Sequence, residues 1–190
     1  MAMSTQALLQ TLLLWGIYPL WLLAGAFDYL CHRQTDIEHS SGSGESWYHV
    51  LQFLVMLVAF AAATLLEVNA VVFGLIVLLV LLHSVLAHMD VSYTDGRRYI
   101  SPLEQHVHGF MEVLPLVAAA ILGVLHWDEI GAGFVGPAAS LVTPFTSARM
   151  LLLISFIVLA GAPIAEELMR TRRHRFERRA ARQAGLATIK

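Results

Sequence analysis

The chain has 190 residues, of which 57% are hydrophobic and 14% charged, with a net charge of −2. Its mean hydropathy of +0.67 excludes an ordinary soluble domain of this size. The single cysteine, Cys31, excludes an intrachain disulfide and a cysteine-based zinc cluster.

Crossing the hydrocarbon core as helix takes about 20 mainly apolar residues. Five segments qualify, at about 7–30, 47–66, 69–89, 103–125 and 149–168. None alternates polar and apolar residues as a barrel strand does. The predicted fold class is therefore all-α: an integral membrane helical bundle of about five transmembrane helices over residues 1–169, followed by a basic tail over 170–190.

The first segment contains an Ala-x-Ala pattern at Ala24 to Ala26 that could mark a cleavage site. Met1 to Gln6 lacks the Lys or Arg with which a signal peptide begins, so the segment is read as a retained span. It ends on Asp28 and His32. The loop that follows, "HRQTDIEHSSGSGESWYHV", carries Glu38 and His39, then Glu45 and His49 as the second span begins, with Ser43 a candidate helix cap.

The third span ends in "HSVLAHMD", where His83 and Asp90 share a helix face and His88 points roughly 140° away from His83. The fourth opens on Ser101-Pro102-Leu103-Glu104, a capping box with proline at the first helical position, and continues through His108 to Glu112. Glu104 fits either a capping or a ligand role. Pro115 cannot donate to the Met111 carbonyl, which predicts a loosened turn beside Glu112. The Gly-, Ala- and Pro-rich segment from Trp127 to Ser147 fits a surface loop or a re-entrant one.

Eight of the twelve Lys and Arg residues lie from Arg170 onward, the others being Arg33, Arg97, Arg98 and Arg149. By the positive-inside bias the tail is cytoplasmic, and five spans then place the N-terminus outside. The expected location is the inner (cytoplasmic) membrane, as a multi-pass protein. The tail reads as a solvated or headgroup-touching segment in contact with membrane lipids, too small a surface for a nucleic-acid partner.

Ionisable groups are costly inside a bilayer, so their positions carry the functional signal. Seven of the nine histidines lie at or near the ends of the first four spans that this topology makes cytoplasmic. Residues four apart share a helix face, and an acid precedes a histidine at that spacing three times, as Asp28 and His32, Glu45 and His49, and Glu104 and His108. At 1.5 Å per residue, His83 lies about 10 Å from Asp90 along its helix, and Glu112 about 12 Å from Glu104. Both reach well into hydrocarbon from the same side.

The expected metal ligands are Asp28, His32, Glu45, His49, His83, Glu104, His108 and Glu112, with Glu38, His39, His88 and Asp90 as further candidates. Asp36, Asp95, Glu166 and Glu167 read as surface or boundary acids. Four carboxylates and four imidazoles suffice for two metal ions. A mixed oxygen and nitrogen set without thiolate suits iron first, with manganese or zinc also fitting.

The acid-x-x-x-His spacing is one residue longer than the Glu-x-x-His of ferritin-like di-iron bundles, and it differs from the His-x-x-His-His boxes of membrane desaturases and hydroxylases. The chain resembles that second group, the histidine-box non-haem di-iron enzymes, in placing a polyhistidine site on the cytoplasmic side of short membrane helices. The resemblance implies a di-iron oxidoreductase that hydroxylates or desaturates a lipid-like or other hydrophobic small molecule, served by an electron donor.

A zinc-dependent hydrolase of a lipid or amide is the alternative, with Glu112 or Glu38 as general base beside a metal-bound water. A haem-binding or metal-sensing subunit would leave most of the carboxylates without a purpose. A metal transporter needs polar groups through the membrane, whereas "AVVFGLIVLLVLL" in the third span has none.

Overall fold

Three of the five long helices start where a side chain satisfies the first free backbone amides. Ser4 Oγ accepts from the Ala7 amide, Asn69 Oδ1 from Val71 and Val72, and Ser101 Oγ from Glu104. The second long helix has no side-chain cap: Gly42, with φ of 66°, turns the chain into it, and Ser43 is its first residue. Ser43 is thus not the cap that the sequence suggests.

The computed structural model describes residues 3–133, 140–142 and 146–184. They form six helices: α1 (Thr5–Gln34), α2 (Ser43–Leu65), α3 (Ala70–Thr94), α4 (Pro102–Leu125), the short α5 (Trp127–Gly131) and α6 (Ser147–Gln183). All but α5 are long and apolar enough to cross a membrane. There is no sheet among the described residues. One antiparallel bridge, Leu66 to Leu141, ties the segment after α5 to the α2–α3 turn. The remainder of the Trp127–Ser147 segment lies outside the described residues, as do tail residues 185–190.

Two irregularities fall elsewhere than the prolines suggest. α4 runs unbroken through Pro115. α1 instead widens to a π-helical stretch over Leu12–Ile17, where the Tyr18 amide reaches back to the Leu13 carbonyl. Pro19 follows at once; it has no amide to give Trp15, and the wider turn accommodates its ring.

α1 packs on α4, α4 on α3, α3 on α2, α2 on α6, and α6 back on α1. The five long helices thereby close a ring around a shared interior. Its apolar core holds Met56, Ala59, Ile76, Val80, Ala119 and Phe156. Phe156 is 2% exposed; its ring stacks on Trp21, Phe53 and Phe60 with centroids 5.2, 5.7 and 4.9 Å away.

At 37 residues, α6 is about 55 Å long against a hydrocarbon core of about 30 Å. The helix therefore continues into the basic extension, whose first turn is packed rather than free. Thr171 is buried and bonds Ser46 at 3.1 Å, and Arg170 pairs with Glu38. Between α1 and α2 a 3-10 turn over Ile37–His39 rests on this part of α6, anchored by a fully buried Ile37.

Replacing Phe156 by alanine removes the ring that joins α6 to α1 and α2. It is expected to cost about 3–5 kcal/mol. Phe27→Ala, at a position 53% exposed on the outer face of the ring, should change stability by less than about 0.5 kcal/mol. Unfolding in mild detergent, monitored by circular dichroism, measures both.

Candidate metal centre

The three acid-x-x-x-His steps converge at one end of the ring. The last turns of α1 supply Asp28 and His32, the first turns of α2 supply Glu45 and His49, and the first turns of α4 supply Glu104 and His108. All six are buried except His108, which is half-buried. Because Ser101 caps α4, the Glu104 carboxylate is free to turn inward.

His32 is the hub. Its Nε2 lies 3.6 Å from Asp28 Oδ1, 3.7 Å from Glu45 Oε1 and 3.4 Å from Glu104 Oε1, and it makes no hydrogen bond to any of them. His108 Nε2 approaches Asp28 Oδ1 to 2.9 Å, yet that oxygen also lacks an aligned hydrogen bond. Donors held about 2.1 Å from one ion lie roughly 3.0–3.4 Å apart at octahedral or tetrahedral angles. The observed separations lie within about 0.3 Å of that spacing, and neither His32 Nε2 nor Asp28 Oδ1 has a hydrogen-bond partner among the described residues. Asp28, His32, Glu104 and His108 form one group able to hold an ion, and His32, Glu45 and His49 form another. Since His32 belongs to both, these are neighbouring halves of one centre.

Glu167 of α6, which its sequence position suggests to be a boundary acid, is 2% exposed and organises the centre. Its two oxygens each lie 2.8 Å from an imidazole Nδ1, one from His32 and the other from His49. The two rings stack, with centroids 4.6 Å apart and planes 6° from parallel. A carboxylate on Nδ1 is what orients a ligating histidine and directs its Nε2 to the metal. His49 Nε2 faces Asp90 Oδ2 at 3.1 Å, and Gln52 donates to the same oxygen at 3.2 Å.

A signal for Glu167 does exist in the sequence. Phe156, Ala160, Pro163, Glu167 and Thr171 follow one another at three- and four-residue steps and mark one face of α6. Glu167 has no histidine four residues on, so the acid-to-histidine pattern passes over it.

Arg98, in the α3–α4 loop, is the other member that the pattern does not reveal. It donates to both carboxylates of the outer half, with Nε 3.1 Å from Glu45 Oε2 and Nη1 3.0 Å from Glu104 Oε2. Burial alone would lower its pKa, but the hydrogen bonds to Glu45 and Glu104 outweigh that and raise it, so the guanidinium stays charged. Ser41 also bonds Glu45.

The remaining candidates have separate places. His83 is buried, and Glu112 half-buried; both line the same cavity of about 90 Å³ as Asp28, His32, His49, Asp90 and His108. Neither belongs to a ligand group, and His83 Nδ1 has no partner. His88 is exposed on the outside of α3. Glu38 pairs with Arg170, and His39 contacts Asp36 and the His174 ring at the surface. Neither folds back over the centre; with Asp36 they form a separate, largely exposed group of possible ligand atoms. Glu166 bonds Tyr29 and Arg33 at the boundary.

Fold and site together define a multi-pass helical membrane bundle with buried carboxylate and histidine groups capable of coordinating metal ions. Comparison of the chain with protein-family models, with curated proteins and with solved structures finds no match.

Glu167→Gln keeps the size of the side chain but can no longer accept from two imidazoles as a carboxylate. Metal affinity is expected to fall by about 10–100-fold, whereas Glu166→Gln leaves it within about twofold of wild type. Titration of metal-stripped protein, followed by calorimetry, compares them.

Proposed function

We propose that this protein is a di-iron oxidoreductase of the membrane, acting on a hydrophobic substrate at the cytoplasmic face. The observation that supports it most is charge. Asp28, Glu45, Asp90, Glu104 and Glu167 are all buried within one network. Arg98 is the one permanent cation among them, leaving four negative charges without a permanent partner. Such charge must be balanced in a low-dielectric interior, by protonated histidines or by bound cations. Two divalent ions would supply that balance with the imidazoles neutral and free to ligate.

The donor set favours iron, because hard carboxylates with intermediate imidazoles and no thiolate are the ligands of non-haem iron. Bound iron would supply dioxygen activation. The overall change inserts one oxygen atom into a substrate C–H bond and releases the other as water, consuming two electrons from an external donor and two protons.

The protein's own residues set up that change. Glu167 holds His32 and His49 in the tautomer with Nδ1 protonated. Arg98 fixes Glu45 and Glu104 from the loop side. Asp28 stands between His32 and His108 and would hold an ion together with them and Glu104. His83 Nδ1 and the Glu112 carboxylate line the cavity without partners and are placed to carry protons to it.

Protein purified without chelator is expected to hold about two iron ions per chain, with a ferrous form bleached by oxygen. Joint His49→Ala and His108→Ala replacement should remove most of the iron. One tightly bound zinc per chain would shift the reading to a hydrolase. Unchanged metal content in the double variant would remove the site altogether.

A further inference from the structure

The ring of helices forms a second, apolar cavity of about 510 Å³, partly open to the outside, on the far side of the core from the metal centre. Every long helix contributes to its wall, through Leu13 and Tyr18 of α1, Phe60 of α2, Ile76 of α3, Ala118 of α4 and Leu152 of α6. Its size lies in the range of ligand pockets. Trp21 and Met56 line both this cavity and that of the metal centre, so these two side chains are the partition between them.

Apart from the Tyr18 hydroxyl, which is bonded to Leu152 O and Ser155 Oγ, the polar lining groups are Gln10, Thr64, His126, Thr146 and Arg149. Arg149 is half-buried there, and its side chain has no carboxylate partner among the described residues. An unpaired guanidinium at the mouth of an apolar chamber complements an anionic head carrying a hydrocarbon tail.

The dimensions agree. From Arg149 to Leu159, which lines the metal cavity, is ten residues of α6, or about 15 Å. That is about half the thickness of the hydrocarbon core, the reach of one leaflet's chain. A methylene occupies roughly the room of a water, ~30 Å³, so the cavity holds one chain of on the order of fifteen to twenty carbons and not two.

We infer that the cavity binds a single-chain anionic lipid, its carboxylate or phosphate on Arg149 and its methyl end against Trp21 and Met56, beside the metal centre. The inference rests on the proposed centre only in taking the chain's methyl end as the part presented for reaction. The binding itself depends on Arg149 and the cavity alone.

The test uses purified protein in mild detergent, loaded with Mn(II), and stearic acid bearing a nitroxide near its methyl end or near its carboxyl end. Broadening of the methyl-end signal but not of the carboxyl-end signal is expected. Arg149→Gln should weaken stearate binding about tenfold and leave stearyl alcohol binding unchanged; Ala118→Phe, which fills the chamber, should weaken both and leave metal content intact. Competition by unlabelled stearate or by a single-chain lysophosphatidate assigns the head as carboxylate or phosphate, and either result supports the site.

Wild-type stearate affinity in Arg149→Gln, which does not depend on whether Ala118→Phe folds, overturns the inference; so does a carboxyl-end label nearest the metal. If no metal binds but stearate binding still depends on Arg149, the di-iron reading falls and the lipid site stands. If metal binds normally and stearate binding ignores Arg149, the lipid site falls alone.

Discussion

Glu167 accepts from His32 and His49 at once, and three helices are fixed by that contact. α6 must lie within hydrogen-bond reach of α1 and α2 together, which closes the ring on the side where no loop joins the helices. The imidazoles are forced parallel, and His32 Nε2 is left facing Asp28, Glu45 and Glu104. None of these carboxylates could stay buried in an apolar bundle by itself. They are tolerable as a set, with histidines and Arg98 interleaved, so the site and this end of the fold depend on each other.

The rest of the interior follows from confining charge to one end. Beyond Trp21 and Met56 the ring is lined mainly by Phe60, Ile76, Val80 and alanines, with no carboxylate in the cavity lining that could draw a cation deeper. Small side chains at Ala59, Ala63, Ala118 and Ala119 keep the five helices from filling their own centre. Polarity at one end and hollowness at the other thus arise from the same five helices.

The spans were readable from hydropathy because a bilayer demands long apolar runs, and the observed helices exceed the expected limits by polar end turns and, in α6, by the basic extension to Gln183. The three acid-to-histidine steps were readable because each lies within one helix, where spacing alone determines the shared face. Glu167 and Arg98 were not, since both act across the bundle: Glu167 meets residues 118 and 135 positions away, and Arg98 meets Glu45 at 53. Glu38 and His39 lie apart from the buried groups for the opposite reason. They sit in a turn with no helical register, and the turn packs on α6 instead of over the metals. Pro115 promised a break, but the irregular turn formed before Pro19.

α6 passes without interruption from Arg149 at the mouth of the apolar chamber, past Glu167, to Arg170 and Thr171 against the first loop. Mechanically it is a single rod carrying three fixtures. Pro163, in the wall of the metal cavity, costs it one backbone hydrogen bond without interrupting the helix. Because one continuous helix carries both Arg149 and Glu167, the far end of the chamber and the two imidazoles are held in register along a single axis.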